Sequence, residues 1–362
     1  MPDGVRDRRL ARLRASLPGL ALAVVAVLLF LFAVQLLGAA TNALSPQLRP
    51  VLERHVVGPG SAVGVSWIAS YGVLNGSVVA AIAVTLFDAA LVTESQLFFL
   101  VIGSRLGGSG IVVFLGGVDY LQHPHYTLRE ATGLGLLTFL VTHTVYLPAM
   151  VLGAVGVAAF DLDLAAIGAL LGVRVRWFGF FTPIATEVTR VVGPTLAFVA
   201  AFLLLVASMR LFDTVFASVD TRWLQTWSRR LLDSKWAAFA LGIVVTAVVT
   251  SIAFSLGVVV PLYNRGYVER DDLIPYVLGA SLGTLSDTLL VGLVLESPVG
   301  FATVLLVVVT AGIVTLLALL VNDRYVAFID VGYDFVVSSP RTFAAFVAAL
   351  VVVPLLLVLL PI

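Results

Sequence analysis

The chain of 362 residues is 60% hydrophobic and only 12% charged, which is about half the charged fraction of a typical soluble domain. Its formal net charge of +0 offers no basic face for nucleic acid, and the lack of cysteine excludes disulfides and cysteine-based metal or catalytic sites. Repeated apolar stretches of about 20 residues instead indicate an integral membrane protein that crosses the bilayer many times.

Apolar segments of spanning length recur along the whole chain. The first, from Leu17 to about Ala40, is longer than the core of about 7–15 residues in a signal peptide, so we interpret it as a retained helix. A weaker stretch at 164–185 is interrupted by Arg174 and Arg176. The pattern predicts an all-α polytopic protein with about 8–10 membrane segments, the clearest being 18–40, 61–87, 97–118, 131–160, 190–209, 236–262, 273–295, 299–321 and 341–361.

Basic residues indicate which loops face the cytoplasm. The N-terminal tail, residues 1–17, carries five arginines, and the connector at 210–235 carries four arginines and the only lysine, Lys235. Both should be cytoplasmic, and we expect a multi-pass cell-membrane protein with both its N-terminus and its C-terminus in the cytoplasm. Apolar positions of 211–232 recur at helical spacing, which predicts an amphipathic helix at the cytoplasmic interface.

The chain contains an internal repeat. Residues 88–110 align without gaps on residues 264–286, and this register places Gly103 on Gly279 and Gly107 on Gly283. Identity is low, so glycine and hydropathy register carry the alignment. We therefore divide the chain into a first repeat at 18–189 with its core at 61–160, and a second repeat at 190–362 with its core at 236–322.

The expected orientation of the loops makes the two repeats inverted. Residues 41–60 follow the first span of one half, and residues 210–235 follow the first span of the other. If the N-terminal tail and 210–235 are cytoplasmic, 41–60 lies outside, so each half crosses the membrane an odd number of times. Inverted repeats are a recurrent architecture of secondary transporters, whose sites lie near the midplane at broken or re-entrant helices from both halves.

Glycine-rich stretches interrupt two apolar segments at equivalent repeat positions, 103–110 and 279–287. Glycine lets the backbone leave helical geometry, and freed amides attract anions whereas freed carbonyls attract cations. The stretches predict a binding site, unless the glycines only let helices pack closely. The candidate ligands in them are small or hydroxyl-bearing residues: Gly103, Ser104, Gly279, Ser281, Thr284 and Ser286.

Two charged residues lie within these same stretches, Arg105 in the first and Asp287 in the second. A charge at membrane depth is costly, so each is a functional hypothesis by default. The pseudo-symmetry of the repeat predicts that the two side chains are close enough to pair, or that a substrate anion bridges to Arg105. The alternative is an ion pair that only joins the two halves.

The second stretch resembles a motif of the type II sodium–phosphate cotransporters. That family has two inverted repeats, each with a Gln-Ser-Ser-Ser motif and, further along the repeat, a Gly-Ala-Asn-Ile-Gly-Thr motif. The segment from Gly279 to Thr284 is similar to the latter, and 103–108 matches it less well. The resemblance implies re-entrant segments that bind phosphate and sodium, and the residues at the Gln-Ser-Ser-Ser positions are Asn75, Gly76, Ser77, Thr250 and Ser251.

Departures from the family pattern are expected to weaken the binding of sodium more than the binding of the anion. Leu74 and Thr250 replace the motif glutamines, and Arg105 stands where the family has asparagine. A fixed cation repels sodium and attracts an anion, and the planar guanidinium suits phosphate. The resemblance therefore implies an ion-coupled symporter for a phosphate-like anion, with sodium as the candidate coupling ion, no other cofactor and no enzymatic activity.

Two other functions remain open at this point. The motif losses are also expected of a non-transporting homologue that acts as a membrane partner or scaffold, alone or as a homo-oligomer. Gly107–Gly110 matches the Gly-x-Ser-Gly of rhomboid proteases, with His143 on the next segment, which would make an intramembrane serine protease. The repeat already explains those glycines. His123 and His125 have no further ligand at metal-site spacing, so we expect no zinc site.

Overall fold

A computed structural model of the chain describes residues 3–122, 127–160, 162–171, 179–217, 234–250 and 270–360, together with 252, 255–256 and 259. Within these ranges the protein is helical and contains no strand. The helices are α1 Asp3–His55, α2 Pro59–Val73, α3 Gly76–Asp88, α4 Glu94–Gln122, α5 Leu128–Phe160, α6 Leu164–Leu170, α7 Thr182–Val192, α8 Pro194–Ala217, α9 Lys235–Val249, α10 Arg270–Gly283, α11 Leu285–Val294, α12 Pro298–Leu320, α13 Asn322–Val337 and α14 Pro340–Leu359.

Seven stretches in the described part of the chain are long and apolar enough to cross a membrane: Gly19–His55, Glu94–Gln122, Thr132–Ala159, Pro194–Val215, Asp271–Val294, Pro298–Leu320 and Pro340–Leu359. Several of them turn aliphatic side chains outward, as on α14, where Val352, Leu355 and Leu356 are exposed. Apolar side chains on the outside of such helices are expected to contact lipid. The prediction of an all-helical, multi-pass membrane protein is confirmed.

The segment at 61–87, predicted as one span, is two helices. Leu74 adopts a left-handed conformation with φ 56°, which ends α2, and Asn75 caps the start of α3. The side-chain oxygen of Asn75 accepts hydrogen bonds from the backbone N–H groups of Ser77 at 2.9 Å and Val78 at 3.2 Å. With 15 and 13 residues, each helix is shorter than the roughly 20 residues that a span requires.

The two short helices fold back on each other beside α4. Gly103 of α4 packs on Val63, and Gly107, one turn later, packs on Trp67, so α2 and α4 run in the same direction. A short loop at 89–93 joins α3 to α4, and α3 runs antiparallel to α4. The tip of this hairpin, at 74–75, therefore lies beside the middle of α4.

The described part of the second half repeats the pairing of the first short helix with the glycine-bearing helix. In the register of the repeat, α9 begins and ends at the positions equivalent to the bounds of α2, and Thr250 ends it in a left-handed conformation with φ 58°, as Leu74 ends α2. Gly279 of α10 packs on Phe239, and Gly283 packs on Thr246, so α9 and α10 also run in the same direction. The matched boundaries give the sequence repeat a counterpart in the helix architecture.

The predicted break at 103–110 is wrong, because α4 is continuous from Glu94 to Gln122. Its glycines serve close packing instead: a Cβ on Gly103 would overlap the carbonyl oxygen of Val63, and one on Gly107 would lie 2.7 Å from the Ser70 Cβ. In the second half only Thr284, itself in helical conformation, separates α10 from α11. The breaks lie upstream of the glycine-rich stretches, at Leu74 and Thr250.

The start of α1 and the end of α14 lie at opposite ends of the bundle. Helix α14 runs antiparallel to α2, because Tyr71 near the end of α2 donates to the carbonyl of Leu350, whereas Gly64 near its start packs on Leu357. The end of α14 therefore lies at the same level as the start of α2.

The start of α2 also lies at the level where α1 ends, since only 56–58 separate the two helices. The first apolar stretch of α1 begins at Gly19, a full membrane thickness from that end. The start of α1 and the end of α14 thus lie at opposite ends of the bundle, and the cytoplasmic location of the two termini stays a prediction. Most of the predicted interfacial helix at 210–235 lies outside the described residues.

Candidate functional site

A cavity of about 220 Å³ lies where the tip of the α2–α3 hairpin and the end of α9 meet α4, α5 and the end of α10. Its size is below the roughly 300–1,000 Å³ of pockets for drug-sized ligands and suits a small ion with a few waters. Apolar atoms form the larger part of its surface, although most of its lining residues are polar or glycine, namely Asn75, Gly76, Ser77, Ser104, Arg105, Gly108, Ser109, Thr142, Tyr146, Thr250, Ser281 and Thr284. The other lining residues are aliphatic, namely Leu74, Ile111, Val112, Leu115 and Ile252.

Arg105 reaches from α4 of the first half to α11 of the second. Its Nη1 donates to the Ser77 hydroxyl at 3.2 Å and to the Thr284 carbonyl at 3.1 Å. Its Nη2 donates to a carboxylate oxygen of Asp287 at 3.4 Å and to the Thr288 hydroxyl. The guanidinium is thus held by residues from both repeats, which is the pairing that the sequence predicted for Arg105 and Asp287.

The ion pair is buried, since the side chain of Arg105 is 5% exposed and that of Asp287 is 2% exposed. Asp287 lies in the first turn of α11, where the helix dipole favours a negative charge. The Arg105 Nε and the second carboxylate oxygen of Asp287 have no hydrogen-bond partner among the described residues. A buried donor or acceptor without a partner costs about 1–3 kcal/mol, so these two atoms mark places where a ligand or water would be stabilised.

The start of α3 forms a further part of the cavity wall. Asn75 uses its side-chain oxygen to cap the helix and leaves the amide Nδ2, whose contact is the Met209 sulfur at 3.6 Å. A thioether is a weak acceptor, so Nδ2 keeps the capacity to donate to a ligand. The N-terminus of α3 adds the positive end of its helix dipole to this side of the cavity.

Several hydroxyls of the wall donate to helix carbonyls. Ser104 donates to Val101 at 2.7 Å, and Ser281 donates to Val277 at 2.9 Å. Tyr146 of α5 donates to the Ser281 carbonyl at 2.7 Å and so ties α5 to the second half. These bonds fix the side chains and leave each hydroxyl oxygen able to accept a hydrogen bond.

The cavity contains most, but not all, of the predicted site residues. Four of the others lie outside its wall. Gly103 and Gly279 lie at helix contacts, and Asp287 lies behind Arg105. Ser286 donates to the carbonyls of Ala247 and Gly283. Ser251 lies outside the described residues. The lining residues among those predicted are Asn75, Gly76, Ser77, Ser104, Arg105, Thr250, Ser281 and Thr284.

Sequence reasoning missed the contribution of α5. Thr142 and Tyr146 both line the cavity, and the Thr142 hydroxyl lies 3.5 Å from that of Ser281. Their i, i+4 spacing puts two polar side chains on one face of an apolar helix, and this spacing is the signal that could have found them. Thr288 was also missed, although it follows Asp287 directly and its hydroxyl accepts a hydrogen bond from Arg105.

Ser109 and His143 also lie close together, with 3.5 Å between the Ser109 hydroxyl and Nδ1 of the ring. That nitrogen lies 3.0 Å from the carbonyl of Phe139, which can only accept, so Nδ1 carries the proton. A protonated Nδ1 cannot take the proton of Ser109, and the distance exceeds the reach of a nucleophile–base pair. The arrangement does not activate Ser109 as a protease nucleophile.

Within the described ranges, no group of three or more histidine, cysteine, aspartate or glutamate side chains could hold a metal ion. His123 and His125, considered from the sequence as metal ligands, lie outside those ranges.

Comparison with known proteins gives one family. The model of the Na+/Pi-cotransporter family matches residues 204–337, which run from within α8 to the end of α13 and include Thr250, Arg270–Gly283 and Asp287. The match confirms the resemblance drawn from the motif at 279–284, and it covers 236–322, the predicted core of the second repeat. No curated protein and no solved structure matches the chain.

Proposed function

Because the match over 204–337 supports membership of the Na+/Pi-cotransporter family, we propose that the chain is a secondary transporter that binds a phosphate-like anion in the cavity and carries it in symport with a cation. Sodium is the candidate coupling ion that the family's name provides. The cavity residues at the two broken-helix tips and around Arg105 are the proposed ligands.

The observation that carries the proposal is Arg105 in the wall of a small cavity between the halves. Its Nε lacks a partner among the described residues, and a phosphate oxygen is a strong acceptor for it. Asp287 balances the charge of Arg105, so an anion gains from the local dipoles and hydrogen bonds more than from net charge. The N-terminus of α3 and Nδ2 of Asn75 supply those dipoles.

The fold suits transport by alternating access. The α2–α3 hairpin of the first half ends at the cavity, as α9 does in the second half, and we propose that both halves form re-entrant hairpins and are inverted in the membrane. The basic N-terminal tail would then lie in the cytoplasm and the end of α14 on the opposite side. Movement of one half against the other exposes the cavity to each side in turn.

Replacement of Asn75 with aspartate is expected to lower the uptake of phosphate strongly while leaving the fold intact. Aspartate is as good a helix cap as asparagine, so α3 should keep its start. The change replaces the Nδ2 donor with a carboxylate oxygen, which repels an anion. Uptake of labelled phosphate into proteoliposomes should fall more than about tenfold, the equivalent of one lost charged hydrogen bond.

Ser339→Asp is the matched control. Ser339 caps α14 by accepting from the backbone N–H of Thr342 at 3.2 Å, and it lies outside the cavity wall. This variant should transport like the unmodified protein. Uptake should be followed with an inward sodium gradient, with a proton gradient and with choline chloride. Equal uptake by the Asn75→Asp and unmodified proteins would disprove the proposed site, and no flux in any gradient would disprove transport.

A second candidate function is a membrane scaffold, and the observation that favours it is the buried ion pair, which joins the two repeats directly. A scaffold needs no movement of one half against the other. It predicts no anion flux, together with stable co-purification of another membrane protein or of a second copy of the chain.

A further inference from the structure

The guanidinium of Arg105 lies among four oxygen atoms from two helices of different repeats. They are the hydroxyls of Ser77 and Thr288, the carbonyl of Thr284 and a carboxylate oxygen of Asp287. All are buried with the guanidinium, since the residues that supply them are at most 8% exposed. We call this group the oxygen cage.

The donor set of the oxygen cage is one that a small hard cation prefers. Carboxylate, carbonyl and hydroxyl oxygens are the ligands that proteins use for such ions, and a single carboxylate balances one positive charge. Backbone carbonyls at membrane depth commonly coordinate the coupling ion of a transporter. The chemistry of the four oxygens therefore suits one monovalent cation, and the guanidinium of Arg105, which donates to all four, supplies one positive charge there.

The repeat gives no second copy of the cage. The register that places Gly103 on Gly279 also places Asp287 on Ile111, Thr288 on Val112 and Arg105 on Ser281. Ile111 and Val112 belong to the aliphatic wall of the cavity. The equivalent position in the other half thus lacks both the carboxylate and the hydroxyl.

We propose that Arg105 is a tethered cation that fills an oxygen-lined site for a monovalent cation between the repeats, and that removing its side chain opens the site to sodium. The cage does not depend on the proposed function. Only one consequence rests on it: in the unmodified protein, a coupling sodium ion is not bound by these four oxygens.

Sodium binding to purified Arg105→Ala protein tests the proposal. The thermal midpoint is measured in detergent in sodium chloride and in choline chloride at equal ionic strength. The variant should gain a sodium-specific rise of about 2–4 °C over the unmodified protein when sodium is near ten times its Kd. The double variant Arg105→Ala/Asp287→Asn, which lacks the balancing charge, should lose that gain.

Because Arg105→Ala leaves Asp287 without its partner, the yield of folded protein is also measured after extraction in each of the two salts. Arg105→Ser, which adds a hydroxyl, is tested as a second variant. Recovery of folded variant in sodium but not in choline supports the cage. No sodium-specific gain, no recovery in either salt, or an equal gain in the double variant overturns it. The measurement involves no transport, so a failure of the proposed function leaves its result unaffected.

Discussion

Replacement of Asp287 with asparagine is expected to lower the free energy of unfolding by about 3–5 kcal/mol, because it leaves the buried charge of Arg105 without its partner. The side chain of Arg105 is 5% exposed, so solvent cannot take over the role of the carboxylate. The remaining contacts, to Ser77, Thr284 and Thr288, are with neutral oxygens that do not balance the charge. Unfolding of the purified protein in detergent measures the loss.

A double variant separates the effect of the two charges on stability from the effect of side-chain packing. Arg105→Met/Asp287→Leu removes both charges and keeps apolar volume, so it should be less destabilised than Asp287→Asn alone. Asp334→Asn is the exposed control: Asp334 pairs with Arg129 at 2.7 Å, but the two side chains are 59% and 61% exposed. It should change stability by at most about 1 kcal/mol. Equal effects of the Asp287 and Asp334 variants would contradict the assignment of a structural ion pair.

The sequence was sufficient to predict where Arg105 and Asp287 meet. Both charges are conspicuous in apolar segments, and the register of the repeat placed them in opposed stretches. The pairing needed no knowledge of any loop conformation. A buried charge is costly without a partner, so a group that pairs with it was expected close by.

The breaks could not be predicted from composition, because the residues at them are not the usual ones. Leu74 and Thr250 adopt φ of 56° and 58°, a conformation that side chains other than glycine rarely adopt. The glycines that suggested breaks lie instead at helix contacts, where the missing Cβ allows two backbones to touch. A glycine either lets the backbone leave helical geometry or lets a neighbouring helix pack closely. Which of the two applies depends on the neighbouring helix, and the local sequence does not reveal that helix.

The α5 side of the cavity was missed for a related reason. Thr142 and Tyr146 carry no charge, and hydroxyls in membrane helices commonly bond to their own backbone. Tyr146 instead donates to a carbonyl far along the chain, that of Ser281. Only the packing of α5 against α10 shows that its polar face belongs to the site.

Replacement of Gly279 with alanine is expected to destabilise the protein by about 3 kcal/mol, near the upper end for overpacking of a core. A Cβ at Gly279 would overlap the carbonyl oxygen of Phe239 and lie 3.0 Å from the backbone nitrogen of Ile243. Both are backbone atoms of α9, so no side chain can rotate away. The helices must separate, which also moves Thr250 and Ser281, and both of these residues line the cavity.

Gly312→Ala is the control, in which the same substitution should raise the stability instead of lowering it. Gly312 lies in the interior of α12, and a Cβ there would meet nothing within 4 Å. Alanine is favoured over glycine in a helix, so stability should rise by about 0.5–1 kcal/mol. Thermal unfolding of the two variants compares them directly. If Gly279→Ala is as stable as Gly312→Ala, then α9 and α10 do not touch along their backbones, and the tip at Thr250 is not held against the cavity by this contact.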